Sequence, residues 1–305
     1  MKRNSKVSAV IPTRHRPGLL VRAVRSVLAQ TYTDLEVIVV VDGADSATEK
    51  ALEQLEEKRL KVIVLNQAVG AAQARNIGAS AAQGDWIAFL DDDDEWVPEK
   101  TQLQMERANA SAYQYPIVSS QLWARTSRYQ VIWPRTEPHQ PLSEYLLARN
   151  SWSYGEGLLS TITLLIPKDL LAEIPFRSAL KRHQDLDWVL RAAGHCGAGI
   201  EFIAQPLAIW HQAEHRKSIS TSNDWRNSLE WIDSVRPIIT ARAYASFLAT
   251  HIASQAARER EWSAFPFLLE RMVATGKPSG HDLLLFFGMW SVPRQVRRVF
   301  RKAAR

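Results

Sequence analysis

Four successive carboxylates, Asp91-Asp92-Asp93-Asp94, follow directly on the apolar run Trp86-Ile87-Ala88-Phe89-Leu90. Packed at the end of a buried strand, such charges repel one another, and a divalent cation that prefers hard oxygen ligands is their natural neutraliser. Mg²⁺ or Mn²⁺ held there would clamp a diphosphate and stabilise it as a leaving group. The competing reading is a solvated acidic turn opening the helix after Pro98, because carboxylates are favourable near a helix N-terminus. A strand that delivers its terminus to a cleft favours the first reading.

Short β-branched runs alternate with helical patterns through the first part of the chain. Val7–Ile11, Leu35–Val41, Lys61–Leu65 and Trp86–Leu90 predict strands, and Gly18–Gln30, Ala47–Lys58, Ala71–Ala82 and Glu99–Asn109 predict helices. This rhythm implies a parallel sheet with right-handed crossovers, in which ligands sit beyond the carboxyl ends of the strands. Each strand ends in polar residues of ligand-binding type, namely Thr13 and Arg14, Asp42, Asn66, and Asp91 to Asp94. Four loops therefore converge on one edge. Between Tyr113 and Ile219 the pattern is mixed, with strands expected at Ile117–Leu122, Arg128–Trp133, Thr161–Ile166 and Gly199–Ile203 and a helix at Asp185–Ala193. From Ser222 onward it turns helical, with Trp225–Ser234, Arg242–Glu261, Phe265–Ala274 and Asp282–Trp290, so a boundary near 220 divides 1–220 from 221–305.

At 305 residues, 46% hydrophobic and 23% charged, the chain has ordinary globular composition and exceeds a typical single domain. Its one cysteine, Cys196, excludes an intramolecular disulfide and a Cys-rich metal site and reads as a buried, inert thiol. The apolar run Val7 to Pro12 is too short for a signal peptide, and Leu283 to Val292 is about half a membrane span. A cytoplasmic protein, or one peripheral on the cytoplasmic face of a membrane, is expected. The net charge of +6 is local: beyond Asp282 there is no acid, while Arg294, Arg297, Arg298, Arg301, Lys302 and Arg305 follow. Val292, Val296, Val299, Phe300 and Ala303 fall at helical spacing among them, the pattern of an amphipathic helix on an anionic membrane surface, with a plain solvated helix end as the other reading. Nucleic acid competes for a basic stripe, but no stacking aromatics accompany it and no nucleic-acid partner is expected.

Five segments in order resemble glycosyltransferase family 2, the inverting enzymes of the GT-A fold: Val7 to Arg14, Glu36 to Gly43, Gly70 to Gly78, Gly84 to Asp94 and Gln184 to Arg191. The resemblance covers roughly the first 220 residues. It implies an α/β GT-A nucleotide-diphospho-sugar transferase fold, a Rossmann-like mostly parallel sheet flanked by helices, followed by a helical extension. It also implies transfer of a sugar from a nucleotide-diphosphate-sugar donor to a saccharide or lipid-linked saccharide acceptor, in surface polysaccharide, lipopolysaccharide or glycolipid assembly. In that scheme Asp93 is the direct ligand of a divalent metal, and Asp91 or Asp92 reaches the ribose or the cation. Pro12, Thr13 and Arg14 line the nucleotide pocket. Asp42 matches the second of two adjacent aspartates that help read the base, Val41 standing where the family has the first. Arg75 and Asn76 contact nucleotide or donor, Asn76 alternatively packing against its loop. Asp185 matches the general base, preceded by Gln184 where the family commonly has Glu; a helix cap is its other reading. Asp187 reads as an ordinary helix-start acid, and Asp94 as the start of the next helical turn. Gly155-Glu156-Gly157 with Ser160-Thr161 resemble an acceptor-side loop. His211, His215, Ser218 and Ser220 resemble a loop over the donor phosphates, with His215 a metal ligand or a diphosphate contact, a solvent-facing loop histidine being the other reading.

Three other readings compete. A sugar-phosphate nucleotidyltransferase would carry a glycine-rich first loop, whereas Pro12 to Gly18 has a single glycine. A phosphatase with an aspartyl nucleophile would want Asp where Thr13 stands. A non-catalytic, membrane-peripheral nucleotide-sugar binder stays open, and Asp185 discriminates it from an enzyme.

Overall fold

The computed structural model describes residues 5–126, 129–149, 156–212 and 225–291. It divides into two compact units, Met1–Pro134 with Leu159–His215, and Arg135–Leu158 with Arg216–Arg305. The segment Arg135–Leu158 thus belongs with the helical region, although it precedes the boundary near 220 that the sequence suggests.

The strands are β1 (Val7–Thr13), β2 (Leu35–Val41), β3 (Leu60–Val64), β4 (Trp86–Phe89), β5 (Glu95–Trp96), β6 (Tyr115–Arg125), β7 (Gln130–Trp133), β8 (Leu165–Pro167) and β9 (Ala198–His211). The helices are α1 (Pro17–Leu28), α2 (Ser46–Glu53), α3 (Ala71–Ser80), α4 (Lys100–Ala110), α5 (Leu142–Leu147), α6 (Lys168–Glu173), α7 (Gln184–Ala193), α8 (Trp225–Ser234), α9 (Ala241–Phe247), α10 (Ala253–Glu259), α11 (Ala264–Thr275) and α12 (Gly280–Ser291).

In the first unit one nine-stranded sheet runs β3-β2-β1-β4-β8-β6-β9-β5, with β7 on the flank of β6. Strands β3, β2, β1 and β4 are parallel, as the alternating pattern predicts. Strand β8 runs against β4 and β6, and β6 is parallel to β9. Every residue of β1 and β2 is buried, which explains why both read as near-continuous apolar runs: helices cover both faces. Helix α3 lies close on this layer. A Cβ at Gly78 would clash with Val10 Cγ1, so only glycine admits the approach.

Several expectations need correction. Thr161–Thr163 forms a single tight helical turn rather than a strand, because Thr163 bonds back to the Ser160 carbonyl through both its amide and its hydroxyl. Strand β9 is 14 residues long, carried past the predicted end by a register shift where Gln121 pairs with Pro206. Cys196 is exposed, in the turn after α7, and is not a buried thiol. In the second unit the predicted helix 242–261 is divided into α9 and α10 by a wide turn at Leu248–Ile252. That unit is built around Trp231, Ile232, Tyr244, Phe247, Leu268, Met272 and Phe286. Among the described residues, no helix is long and apolar enough to cross a membrane.

Candidate functional site

Parallel pairing of β1 and β4 brings the loop after Thr13 alongside the acidic run. Thr13 Oγ1 donates to Asp92 Oδ2 at 2.8 Å, and Arg16, just ahead of α1, donates to Asp92 Oδ1 at 3.1 Å and Asp93 Oδ2 at 3.2 Å. Arg22 on α1 reaches the Asp93 carbonyl at 2.5 Å, and Arg75 on α3 reaches Asp91 Oδ1 at 2.6 Å. Guanidinium groups are thus interleaved with the carboxylates. Burial pushes the Asp92 carboxyl up, against the Thr13 and Arg16 hydrogen bonds that favour its anion.

Asp94 does not begin a helical turn; α4 starts only at Lys100. Its amide donates to the Asp91 carbonyl at 3.1 Å, folding the run back on itself, and its Oδ1 accepts from the His211 amide at 2.9 Å. The reversal is locked by β5, which pairs with the end of β9, and by His211 Nε2 at 2.7 Å from Glu95 Oε1. His211 is therefore a strand-end residue tied to Glu95, and burial pushes its imidazole pKa down. His215, Ser218 and Ser220 lie outside the described residues, as does Gly155.

The fold-back leaves carboxylate oxygens of Asp91, Asp93 and Asp94 within 4.8 Å of one another. A compact set of three hard oxygen donors suits Mg²⁺ or Mn²⁺. Burial, then the charge of Asp91, pushes the Asp94 carboxyl well above the usual carboxylate range; a cation would draw it back to the anion.

Asp185 sits in the first turn of α7 but does not cap it, since His183 occupies the capping position with φ 60° and no side chain closes the cap. Its Oδ2 instead accepts from the Thr161 amide at 3.0 Å and lies 3.4 Å from each of the Ser160 and Thr161 hydroxyls. The residue as a whole is half-buried, and the dense protein around its carboxyl raises the pKa; Arg75 opposes that rise and Asp91 adds to it.

Arg75 links the two groups of acids. It is buried, with one terminal nitrogen on Asp91 and the other 2.8 Å from Gln184 Oε1. Burial works against its charge, but Asp91, Asp185 and Asp92 more than offset this and hold it protonated. Its Nε is buried without a hydrogen-bond partner among the described residues.

Other anticipated residues have structural work. Both oxygens of Asp42 accept backbone amides, Val69 at 2.6 Å and Gly70 at 3.0 Å, fixing the loop ahead of α3 where Gly70 adopts φ 88°. Asn76 exchanges two hydrogen bonds with the Phe176 backbone, at 2.8 and 3.0 Å. Asp187 is no ordinary helix-start acid: it is 1% exposed and paired with Arg177 at 3.2 Å and Arg191 at 2.9 Å. Pro12 is buried inside β1, and Arg14 is exposed beside the Thr13 loop. Arg16 and Arg22 join the site without having been anticipated from the sequence. The signal was present, because four carboxylates demand counter-charge and the β1 loop already lay on the same edge.

A family profile described as Glycosyl transferase family 2 matches residues 8–174. The amylovoran biosynthesis glycosyltransferase AmsB of Erwinia amylovora is 29% identical over 252 residues, 79% of this chain and 81% of its own. WfgD of Escherichia coli, named as a UDP-Glc:alpha-D-GlcNAc-diphosphoundecaprenol beta-1,3-glucosyltransferase, is 34% identical over 99 residues, 32% of this chain and 39% of its own. In three dimensions, the crystal structure of S. aureus TarS 1-349 in complex with UDP-GlcNAc aligns with a TM-score of 0.65 and 17% identity, over 98% of this chain and 92% of that one. That likeness carries the fold, a GT-A-like mostly parallel sheet with a helical region after it. With the profile spanning more than half of its length over the strands and loops that build this edge, the chain belongs to glycosyltransferase family 2 and is a glycosyltransferase.

Proposed function

We propose that the chain is an inverting, metal-assisted glycosyltransferase that moves a sugar from a uridine-diphosphate donor to a hydroxyl of a lipid-linked saccharide, at the cytoplasmic face of a membrane, in surface-polysaccharide assembly. The observation that carries this reading is Arg75. One buried guanidinium holds Asp91, at the acidic edge, and acts on Asp185, the carboxylate that accepts from the loop at Ser160 and Thr161. The names of AmsB and WfgD support the pathway and the acceptor class, and the TarS complex supports the uridine nucleotide.

In this mechanism the acceptor oxygen attacks the anomeric carbon as Asp185 takes its proton, and the bond from that carbon to the diphosphate oxygen breaks. Attack from the side opposite the leaving group inverts the configuration. Thr161 and Ser160 fix the direction of the carboxylate, and their hydrogen bonds favour its anion against the surrounding burial. Asp91, Asp93 and Asp94 would hold a divalent ion, which when bound supplies positive charge to the departing diphosphate. Arg16 and Arg75 add cationic charge to the same edge.

The test is a thermal-shift panel of uridine, guanosine and thymidine diphosphates with and without Mn²⁺. A ligand at a hundred times its dissociation constant stabilises by about 2.7 kcal/mol, and uridine diphosphate with Mn²⁺ should give the largest rise in Tm. No metal-dependent shift with any nucleotide would sink the proposal. A protein that binds nucleotide but transfers nothing would instead be the non-catalytic binder.

A further inference from the structure

The second unit carries an aromatic cluster that its own fold only half covers. Phe265, at the start of α11, meets Phe286 at 5.2 Å, Trp290 at 5.6 Å and Phe287 at 5.9 Å, and Trp262 meets Trp290 at 5.6 Å. Phe286 and Trp290 face inward, whereas Trp262 is 63% exposed and Phe287 45%. One turn before Phe287 on α12, Leu284 is 63% exposed, so the helix turns an apolar edge to solvent. Contiguous apolar exposure of this kind marks an interaction surface.

Two further facts name the occupant. Tryptophan and phenylalanine at the rim of an apolar patch are suited to the boundary between lipid headgroups and acyl chains. In the sequence, four residues after Trp290, come Arg294, Arg297, Arg298, Arg301, Lys302 and Arg305, with no acid after Asp282; this expected amphipathic tail lies outside the described residues. A neutral protein partner would leave those cations unmatched. An anionic surface matches them.

We infer that the edge formed by Trp262, Leu284 and Phe287 docks on an anionic lipid bilayer, inserting its apolar side chains at headgroup depth while the following cations attract the lipid charge. Docking on this face rests on, and deepens, the membrane location proposed above, while requiring nothing of the transfer chemistry. It specifies a face rather than a charged segment alone.

The test is co-sedimentation of the full chain with vesicles of phosphatidylcholine, and of phosphatidylcholine containing phosphatidylglycerol. The wild type should pellet with the second and much less with the first, and binding should weaken as salt is raised. Leu284→Ser with Phe287→Ser should weaken binding roughly tenfold through lost apolar insertion, as should Trp262→Ser. These side chains are solvent-exposed, and an unchanged Tm verifies that the variants are folded. No binding to anionic vesicles overturns the inference. So does wild-type binding by the folded double variant, which would assign the interaction to the cations alone. A solution dimer that the double variant dissolves, without vesicle binding by the wild type, would assign the face to a second copy.

Discussion

The acidic edge of the first unit and the Asp233 network of the second handle charge in opposite ways. In the second unit Arg271 bonds the Tyr244 hydroxyl at 2.7 Å and Asp233 at 2.6 Å, and Tyr244 donates to the other Asp233 oxygen at 2.9 Å. Each partner satisfies the next, and the triangle joins α8, α9 and α11. Burial raises the Tyr244 pKa too, but at the acidic edge it raises those of three carboxyls, Asp92, Asp94 and Asp185, and the counter-charges of Arg16 and Arg75 are divided among several acids. A closed network fastens helices together. An unsettled one leaves groups ready to exchange a proton or gather a cation, which is why strongly perturbed groups concentrate at working sites.

The sharpest way to break this contrast is Asp185→Asn. Loss of the proposed general base should lower kcat by about 10² to 10⁴-fold while metal-dependent nucleotide binding persists; unchanged transfer would remove Asp185 from the mechanism. Stability should move the other way. The folded pKa of Asp185 is raised, so its stabilising contribution is present below the unfolded value and is lost as pH rises through the folded one. At neutral pH the ionised, enclosed carboxylate is a cost. The asparagine variant should therefore melt higher than wild type near pH 7.5, and the advantage should shrink on acidification.

Asp94→Asn comes next, because it separates the metal trio from a simple acidic turn. Transfer should fall by about a hundredfold, and the Mn²⁺-dependent thermal shift with nucleotide should vanish. A retained shift would return Asp94 to a purely structural bond with His211. Arg271→Ala should leave transfer intact and lower stability by about 1 kcal/mol, since both side chains of the ion pair keep a third of their surface in water. A drop in transfer at unchanged stability would erase the distinction between the two networks.

Gln184→Glu sharpens the comparison from within the site. A second carboxylate on Arg75 would divide its attraction further and leave Asp185 less supported as an anion. The acid limb of the kcat/KM profile should move to higher pH than in wild type; movement downward would contradict the role given to Arg75. The smallest effect is expected from Lys100→Met. Lys100 is fully buried over the Trp96 ring at 4.0 Å, bonded to Gln104 at 2.6 Å, and burial pushes its pKa well down. Its stabilising contribution is present above the unfolded lysine value and lost as pH falls through the folded one. The methionine variant should melt a few degrees higher at neutral pH, with the gain fading as the pH approaches about 10.4.

The parallel half of the sheet was legible in the sequence because its order parameter is local: β1, β2 and β4 are buried apolar runs that stop at polar residues. Asp91 and Asp185 stand out as candidates from motifs alone. What escaped depended on distant partners. Asp94 reads as a helix start until the amide of His211, 117 residues away, is seen to occupy it. Thr161 has the pattern of a strand residue, but its amide is turned toward Asp185, 24 residues on. The β-branched composition of Thr161–Thr163 gave no sign of that competing acceptor. Asp187 escaped only in part: its pair with Arg191 is a local contact along one helix face that the spacing allows, whereas Arg177, on the loop before α7, is not signalled by any helical spacing.

The missing Cβ of Gly78 reaches further than packing. Arg75 stands one helical turn before it on α3, so the distance between that helix and Val10 works as a mechanical stop for the guanidinium. Alanine at 78 would force the helix or Val10 to yield by about an ångström, and a displacement of that size at a positioning group can cost on the order of a hundredfold in rate. In the proposed mechanism, the placing of the carboxylates would thus be gauged by a contact between two hydrocarbon surfaces, with no charge at all on either side.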